Sequence, residues 1–164
     1  MTPKLQVELR TTDGPLLQVT DLHTHFKTER GLVRSVDGVS FSLERGAALG
    51  IVGESGSGKT VLSRSIMGLL PKRNTVKSGS VVFEGQELIN MSLRQRRSIW
   101  GREMSMIFQD PMTSLNPVMR VGNQIGEGLR LHLSMSKADA RATALKLLQD
   151  VRIPSPDSRL DQYA

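Results

Sequence analysis

Runs of apolar residues along the chain predict its strands. In VDGVSFSLERG, residues 36–46, the apolar side chains Val39, Phe41 and Leu43 alternate with polar ones, which is typical of a strand with one buried face. The segment AALGIV is apolar throughout, as expected of a strand that is covered on both faces. The predicted strands cover residues 16–26, 36–46, 47–52 and 103–108, and residues 78–89 are expected to form a hairpin that turns near Gly85.

Helical spacing begins near Lys59, directly after a glycine-rich loop. Leu62, Ile66 and Leu69 recur every three or four residues, and Pro71 is expected to end this helix. The local order is therefore strand, loop, helix.

Three more helices are predicted further along the chain. A serine followed three residues later by a glutamine or an aspartate is typical of a helix start, because these side chains satisfy free backbone N–H groups there. The two starts of this kind are Ser92 with Gln95 and Ser136 with Asp139. The helix between them has an apolar stripe of Val121, Ile125, Leu129 and Leu133, and the last helix contains Ala140, Ala144, Leu147 and Val151 before Pro154 and Pro156 end it.

The composition is that of a folded globular protein. The chain has 164 residues, of which 38% are hydrophobic, and it has no cysteine, so it can form neither a disulfide nor a thiolate metal site. No apolar run approaches the roughly 20 residues of a membrane-spanning helix, so we expect a protein that is neither secreted nor membrane-spanning. Nothing in the sequence assigns a role to the three histidines.

A net charge of +6 favours an anionic partner. The densest basic stretch is RQRRSIWGR, Arg94–Arg102, which we interpret as a solvated helix face rather than a phosphate-binding surface. The six aromatic residues do not interleave with basic ones as they do in a base-stacking platform, so no nucleic acid partner is expected.

The glycine-rich loop matches the phosphate-loop pattern of glycine, any four residues, glycine, lysine, and serine or threonine. Glycines allow successive backbone N–H groups to surround a phosphate, and the following helix directs its positive end at the same anion. Lys59 would contact the β- and γ-phosphates, and the Thr60 hydroxyl would ligate Mg²⁺. The predicted nucleotide-binding residues are Gly53, Glu54, Ser55, Gly56, Ser57, Gly58, Lys59 and Thr60.

The loop alone leaves several classes of nucleotide-binding protein open. GTPases also need a guanine-reading Asn-Lys-x-Asp, and no asparagine in this chain is followed by lysine. Kinases and helicases remain possible on this motif.

Three separated stretches resemble the ATPase subunits of ATP-binding-cassette (ABC) transporters, in particular those of oligopeptide, dipeptide and nickel importers. They are THFKTERGLVRSVDGVSFSLERGAALGIVGESGSGKT, SMIFQDPMTSLNPVMRVGNQI and RIPSPDSRLDQY. The resemblance runs from about Leu16 to the end and identifies Gly53–Thr60 as the Walker A segment. It implies an α/β fold: a P-loop NTPase core with an antiparallel β subdomain and the start of a helical subdomain.

The resemblance also implies roles for individual residues. Gln109 would be the catalytic glutamine that contacts Mg²⁺ and the attacking water. Residues 110–117 would form the surface that couples the ATPase to a membrane-embedded subunit. Adenine would stack on Phe26. Arg30 is a rival position, and a purely structural role for Phe26 stays open.

The implied organisation has three parts and several partners. Residues 1–15 would be an N-terminal extension, 16–117 the ATPase core and 118–164 part of the helical subdomain. The expected cofactors are ATP and Mg²⁺. The expected partners are transmembrane permease subunits and a second ABC ATPase subunit, in a homodimer or heterodimer, with the protein peripheral on the cytoplasmic side of the inner membrane.

Several motifs of the family do not occur in this sequence. There is no Leu-Ser-Gly-Gly-Gln signature, no convincing Walker B aspartate with its glutamate, no D-loop and no switch histidine. Asp110 is a poor Walker B candidate, because Gln109 separates it from the predicted strand and Pro111 follows it. We therefore expect an incomplete cassette that binds Mg·ATP without turnover, and whose central sheet has an unpaired edge and exposed apolar surface.

Two other classes of function remain open. One is a stand-alone or regulatory nucleotide-binding module without its own ATPase activity. The other is a phosphate-loop kinase, although no acceptor pocket can be identified from the sequence.

Overall fold

The computed structural model describes residues 14–108 and 114–164. These residues divide into two compact units, one up to Arg96 and one from Arg97. The elements are β1 (Leu17–Thr28), β2 (Gly31–Leu43), α1 (Lys59–Met67), β3 (Thr75–Phe83), β4 (Gln86–Glu87), α2 (Leu93–Ile99), α3 (Val121–Leu133), α4 (Lys137–Asp150) and α5 (Pro156–Leu160).

The first unit is built on an antiparallel sheet with strand order β2-β1-β3-β4. Val19 in the central strand β1 lies opposite Phe41 of β2 and Val81 of β3. One face is the core, where Val19, Leu22 and Val81 are almost fully buried. The predicted strand 16–26, the alternation in 36–46 and the hairpin are confirmed, and the hairpin turns through Glu84 and Gly85, both with positive φ.

Helix α1 packs on this sheet through apolar contacts and one buried polar contact. Leu62 and Ile66 are buried. Ser65 donates its hydroxyl proton to the Val61 carbonyl, so it can accept from the buried hydroxyl of Thr24, 2.8 Å away. The helix ends at Met67, not at Pro71 as predicted, because Gly68 adopts the left-handed conformation and its N–H caps the last turn.

Two predicted strands are wrong. In the described part of the chain, residues 47–52 and 103–108 form no strand. A continuous apolar run becomes a buried strand only where neighbouring strands pair with both of its edges, and no described strand pairs with either run. Most of their side chains are exposed instead, up to 93% for Val52 and 97% for Ile107, while Met104 and Met106 are half-buried. This is the exposed apolar surface that we expected.

The interpretation of the basic stretch, residues 94–102, as a solvated helix face is wrong for Arg96. Arg94 and Arg97 are exposed, as a solvated face requires, but Arg96 is only 9% exposed. Its guanidinium donates to the carbonyl oxygens of Leu88 at 2.6 Å, Ile89 at 3.0 Å, Met91 at 3.2 Å and Met67 at 3.4 Å. Since Met67 is the last residue of α1, this side chain joins the end of that helix to the segment after β4.

We expect Arg96→Met to lower the free energy of unfolding by about 3 kcal/mol, because it leaves several partly buried carbonyls without a donor. Urea denaturation measures the difference. Arg97→Met is the matched control, and as a surface change it should stay within about 0.5 kcal/mol of the parent. Equal stability of the two variants would contradict this role for Arg96.

Glu87 fixes the short strand β4 to β3. Its carboxylate accepts from the hydroxyl of Ser80 and from the backbone N–H groups of Val81 and Ile89 at 3.1 and 2.9 Å. Burial opposes ionisation of this carboxyl, but these hydrogen bonds outweigh it and lower the pKa of Glu87.

A lowered folded-state pKa predicts a specific pH dependence of stability. The contribution of ionised Glu87 is complete above pH 4.5, the ordinary pKa, and is lost as pH falls through the lower folded-state pKa. Glu87→Gln should therefore cost about 1 kcal/mol at neutral pH, and this difference should vanish in acid. Thermal unfolding as a function of pH, with exposed Glu29→Gln as control, tests this; a difference that persists in acid would count against it.

The second unit contains helices α3, α4 and α5. The predicted helices are confirmed, and the Ser136 hydroxyl caps α4 by accepting from the Asp139 N–H. The contact face of α3 consists of small residues: a Cβ atom at Gly126 would lie 3.7 Å from that of Ala140, and one at Gly122 would lie 2.9 Å from the Leu160 carbonyl oxygen. The predicted apolar stripe is only partly covered, and α4 ends at Asp150, before the prolines.

Candidate functional site

The candidate site is the loop of residues 53–60, which leads into α1. Gly56 and Gly58 have φ values of 84° and 91°, which side chains other than glycine rarely tolerate. Gly58 is the residue that precedes the first turn of α1. The two glycines therefore let the backbone turn sharply and enter the helix within a few residues.

Close packing also explains why these positions are glycines. A Cβ atom on Gly58 would lie 2.2 Å from the carbonyl oxygen of Ser35 in β2, and one on Gly53 would lie 2.7 Å from the Ser57 hydroxyl. The contact with Ser35 holds the end of the loop against β2. Sequence reasoning did not identify Ser35, since its part in the site is made by its backbone and leaves no residue signature.

Lys59 lies folded back over the loop. Its ammonium donates to the carbonyl oxygens of Gly53 and Glu54, each at 2.7 Å, and to the Ser57 hydroxyl at 3.3 Å. The loop backbone thus places a cation at its own centre. A bound phosphate would be a stronger acceptor than these neutral carbonyls, because its negative charge also attracts the ammonium directly.

The N-terminus of α1 is suited to an anion. Gly58 supplies no side-chain cap, and the first turn contains no acidic residue. The first N–H groups of a helix have no partner within it and concentrate partial positive charge. Thr60 lies exposed in this turn. The arrangement of backbone amides, Lys59 and a hydroxyl can bind a polyphosphate and offer one ligand to its metal ion.

The other predicted residues are placed differently. Gln109 and residues 110–113 lie outside the described residues. Phe26 lies half-buried in β1, paired with Val33 and Thr75, while Arg30 is exposed in the turn after that strand. Residues 53–60 form one continuous loop and the start of α1, and the stacking role of Phe26, with Arg30 as its rival, stays a prediction.

The described end of the predicted transmission segment is fixed to α3. The Gln124 side chain accepts from the Asn116 N–H at 2.8 Å and donates to the carbonyl oxygens of Asn116 at 2.9 Å and Met119 at 3.0 Å. The side-chain amide of Gln124 thus joins the loop that precedes α3 to the helix itself. Sequence reasoning missed it, because a lone glutamine on a helix has no distinctive pattern.

Comparison with known proteins decides the family. Residues 36–164 match the family model described as ABC transporter. The chain belongs to the ABC transporter family. The predicted resemblance is thereby confirmed, and the assignment of residues 53–60 as the nucleotide-binding loop stays a prediction.

The most similar curated relatives include ATP-binding proteins of peptide transport. The chain is 49% identical to a probable peptide ABC transporter ATP-binding protein of Sinorhizobium fredii over 150 residues, which are 90% of this chain and 44% of the relative. It is 50% identical to the dipeptide transport ATP-binding protein DppD of Bacillus subtilis, over 90% of this chain and 44% of that relative. The oligopeptide transport protein OppD of that bacterium is 48% identical, over 90% of this chain and 42% of the relative. The chain thus spans less than half the length of these proteins.

Solved structures show the same fold at low identity. A dimeric bacterial ABC transporter cassette superposes with a TM-score of 0.76 at 17% identity, over 90% of this chain and 61% of the cassette. A post-hydrolysis state of the same cassette, bound to ADP and Pi, gives a TM-score of 0.73 at 18% identity over the same shares. The predicted fold class is confirmed. None of the helices in the described residues could cross a bilayer, since the longest, α4, has 14 residues and about 20 are needed.

Gly58→Ala should lower the free energy of unfolding by roughly 2 to 5 kcal/mol, because it combines a strained φ with a backbone clash at Ser35. Gly56→Ala is the matched control: it has a similar positive φ but nothing within 4 Å of the added methyl group. It should show the strain alone, about 1–2 kcal/mol. Chemical denaturation of both variants measures the difference, and equal losses would show that the contact with β2 is unimportant.

Proposed function

We propose that the chain is the ATP-binding part of an ABC transporter subunit and binds Mg·ATP to energise the import of peptides or a related solute such as nickel. The observation that supports this most strongly is the loop of residues 53–60, with Lys59 at its centre and an open helix N-terminus beside it. The names of the curated relatives favour peptides as the solute.

Each residue of the loop has a role in this proposal. Backbone N–H groups between Gly53 and Lys59, a stretch that includes Glu54, Ser55 and Ser57, surround the β-phosphate. Lys59 leaves the carbonyls of Gly53 and Glu54 and contacts the β- and γ-phosphates. The Thr60 hydroxyl would be a ligand of Mg²⁺, and Gln109 would contact Mg²⁺ and the attacking water. Phe26 is the proposed stacking partner of adenine, with Arg30 as the rival.

Family membership supports a proposal about partners. We infer that the full protein pairs with a second ABC ATPase subunit and with transmembrane permease subunits, on the cytoplasmic side of the inner membrane. Residues 110–117 would contact the permease. The hydrogen bonds of Gln124 support this role. Because they join the Asn116 backbone to α3, a displacement of Asn116 would also displace the helix.

Calorimetry on the purified chain tests the nucleotide site. We expect Mg·ATP to bind, and Lys59→Ala to weaken binding by roughly 10- to 150-fold, which corresponds to the 1.5–3 kcal/mol of a hydrogen bond to a charged group. Lys146→Ala, on the exposed part of α4, is the matched control and should bind like the parent. Circular dichroism confirms that each variant is folded. An absence of ATP binding by folded parent chain, or equal affinities of the two variants, would overturn the proposal.

A further inference from the structure

A cluster of histidine and aspartate side chains lies on β1 and β2, apart from the phosphate loop. The Oδ1 atom of Asp37 accepts from Nδ1 of His23 at 2.8 Å and from Nε2 of His25 at 2.9 Å. The other ring nitrogen of His23 donates to Asp21 at 3.0 Å. Two imidazole rings from one strand therefore converge on a single carboxylate oxygen of the next strand.

The sheet geometry explains this convergence. His23 and His25 are two residues apart in β1, so their side chains lie on the same face, opposite that of the buried Leu22 and Thr24. The β1–β2 register shifts on both sides of Thr24. The irregularity lies beside Gly38, whose φ is 76°, and a Cβ atom there would lie 3.6 Å from the His23 ring. The strands thus hold the two rings next to Asp37.

The cluster is accessible to ions. The side chains of His23 and His25 are 27% and 15% exposed, and that of Asp37 is 44% exposed. Hydrogen bonds from His23 and His25 lower the pKa of Asp37, so this group is a carboxylate at neutral pH. Both ring nitrogens of His23 donate to carboxylates, so a cation that binds one of them must displace a proton.

We propose that His23, His25 and Asp37 form a binding site for one divalent transition metal ion, with zinc as the best fit. Two imidazole nitrogens and one carboxylate oxygen are a common zinc donor set, and a water molecule would complete a four-coordinate shell. The three ligand atoms already lie within 4.8 Å of one another. This site does not depend on the proposed function.

The required rearrangement is small. Metal–ligand bonds of about 2.0–2.1 Å at tetrahedral angles place the ligand atoms about 3.3 Å apart. The nitrogen–oxygen distances of 2.8 and 2.9 Å therefore have to open by about half an ångström as the metal replaces the two protons. The Asp37 side chain is 44% exposed, so its carboxylate has room to turn, and the two ring nitrogens already lie within 4.8 Å of each other.

The surrounding charges favour one binding mode. If His23 binds through Nδ1, its Nε2–H keeps the hydrogen bond to Asp21, and a carboxylate that accepts from a metal-bound histidine fixes its tautomer and raises its basicity. Arg34 acts against the metal, since its guanidinium lies 3.6 Å from the other carboxylate oxygen of Asp37. That side chain is 66% exposed and can turn into solvent.

Zinc titration of the chelator-treated 164-residue chain tests the site. Nucleotide is left out, because ATP itself binds divalent metals. We expect one zinc ion per chain and a higher melting temperature in its presence. His25→Gln and Asp37→Asn should each weaken binding at least about tenfold. His132→Gln, which removes the remaining histidine in a different unit, should bind like the parent.

Two further measurements keep the test decisive if a variant folds poorly. Titration of the parent chain with isotope-labelled histidine should shift the ring-nitrogen resonances of His23 and His25 and leave those of His132 unchanged. Lys59→Ala should keep full zinc affinity, which separates this site from the nucleotide site. Zinc binding that is equal in the parent and in folded His25→Gln, or ring signals that do not respond to zinc, would overturn the proposal and leave a hydrogen-bonded cluster only.

Discussion

The contact between the phosphate loop and β2 is the constraint on which the nucleotide site depends. Gly58 approaches the Ser35 carbonyl so closely that no side chain fits between them, and α1 begins at the next residue. Further along α1, Leu62, Ile66 and the Thr24–Ser65 hydroxyl pair hold the helix on the sheet. The direction of the helix N-terminus, and therefore the position of its free N–H groups, is set by an antiparallel sheet and needs no pairing by residues 47–52.

Backbone carbonyls take the place of acidic partners for two cations at the ends of α1. Lys59 lies at its start and donates to Gly53 and Glu54; Arg96 lies at its end and donates to four carbonyls. The two sets of carbonyls differ in burial, and this difference determines whether a ligand can replace them. The carbonyls around Arg96 are enclosed and fix the fold, whereas the exposed carbonyls around Lys59 can be exchanged for a phosphate.

The sequence predicted those features of the structure that depend only on neighbouring residues, such as helix caps and tight turns. The Ser136 cap, the Glu84–Gly85 turn and the glycine loop depend on residues close in sequence, and all three are present. The failures involve distant residues. Whether residues 47–52 form a strand depends on a neighbour that their own pattern cannot specify, and the burial of Arg96 depends on carbonyls up to 29 residues away. The His23–Asp37 contact could not be foreseen, because it needs the shifted register at Thr24.

The exposed apolar segment of residues 47–52 affects how this chain behaves in concentrated solution. Backbone groups of residues 47–52 have no strand partner in the described sheet, and the segment carries no charge and ends in the β-branched residues Ile51 and Val52. Such a segment is a template for pairing between molecules. The net charge of +6 opposes that association through mutual repulsion, which salt screens. The colloidal stability of the chain should therefore fall as ionic strength rises.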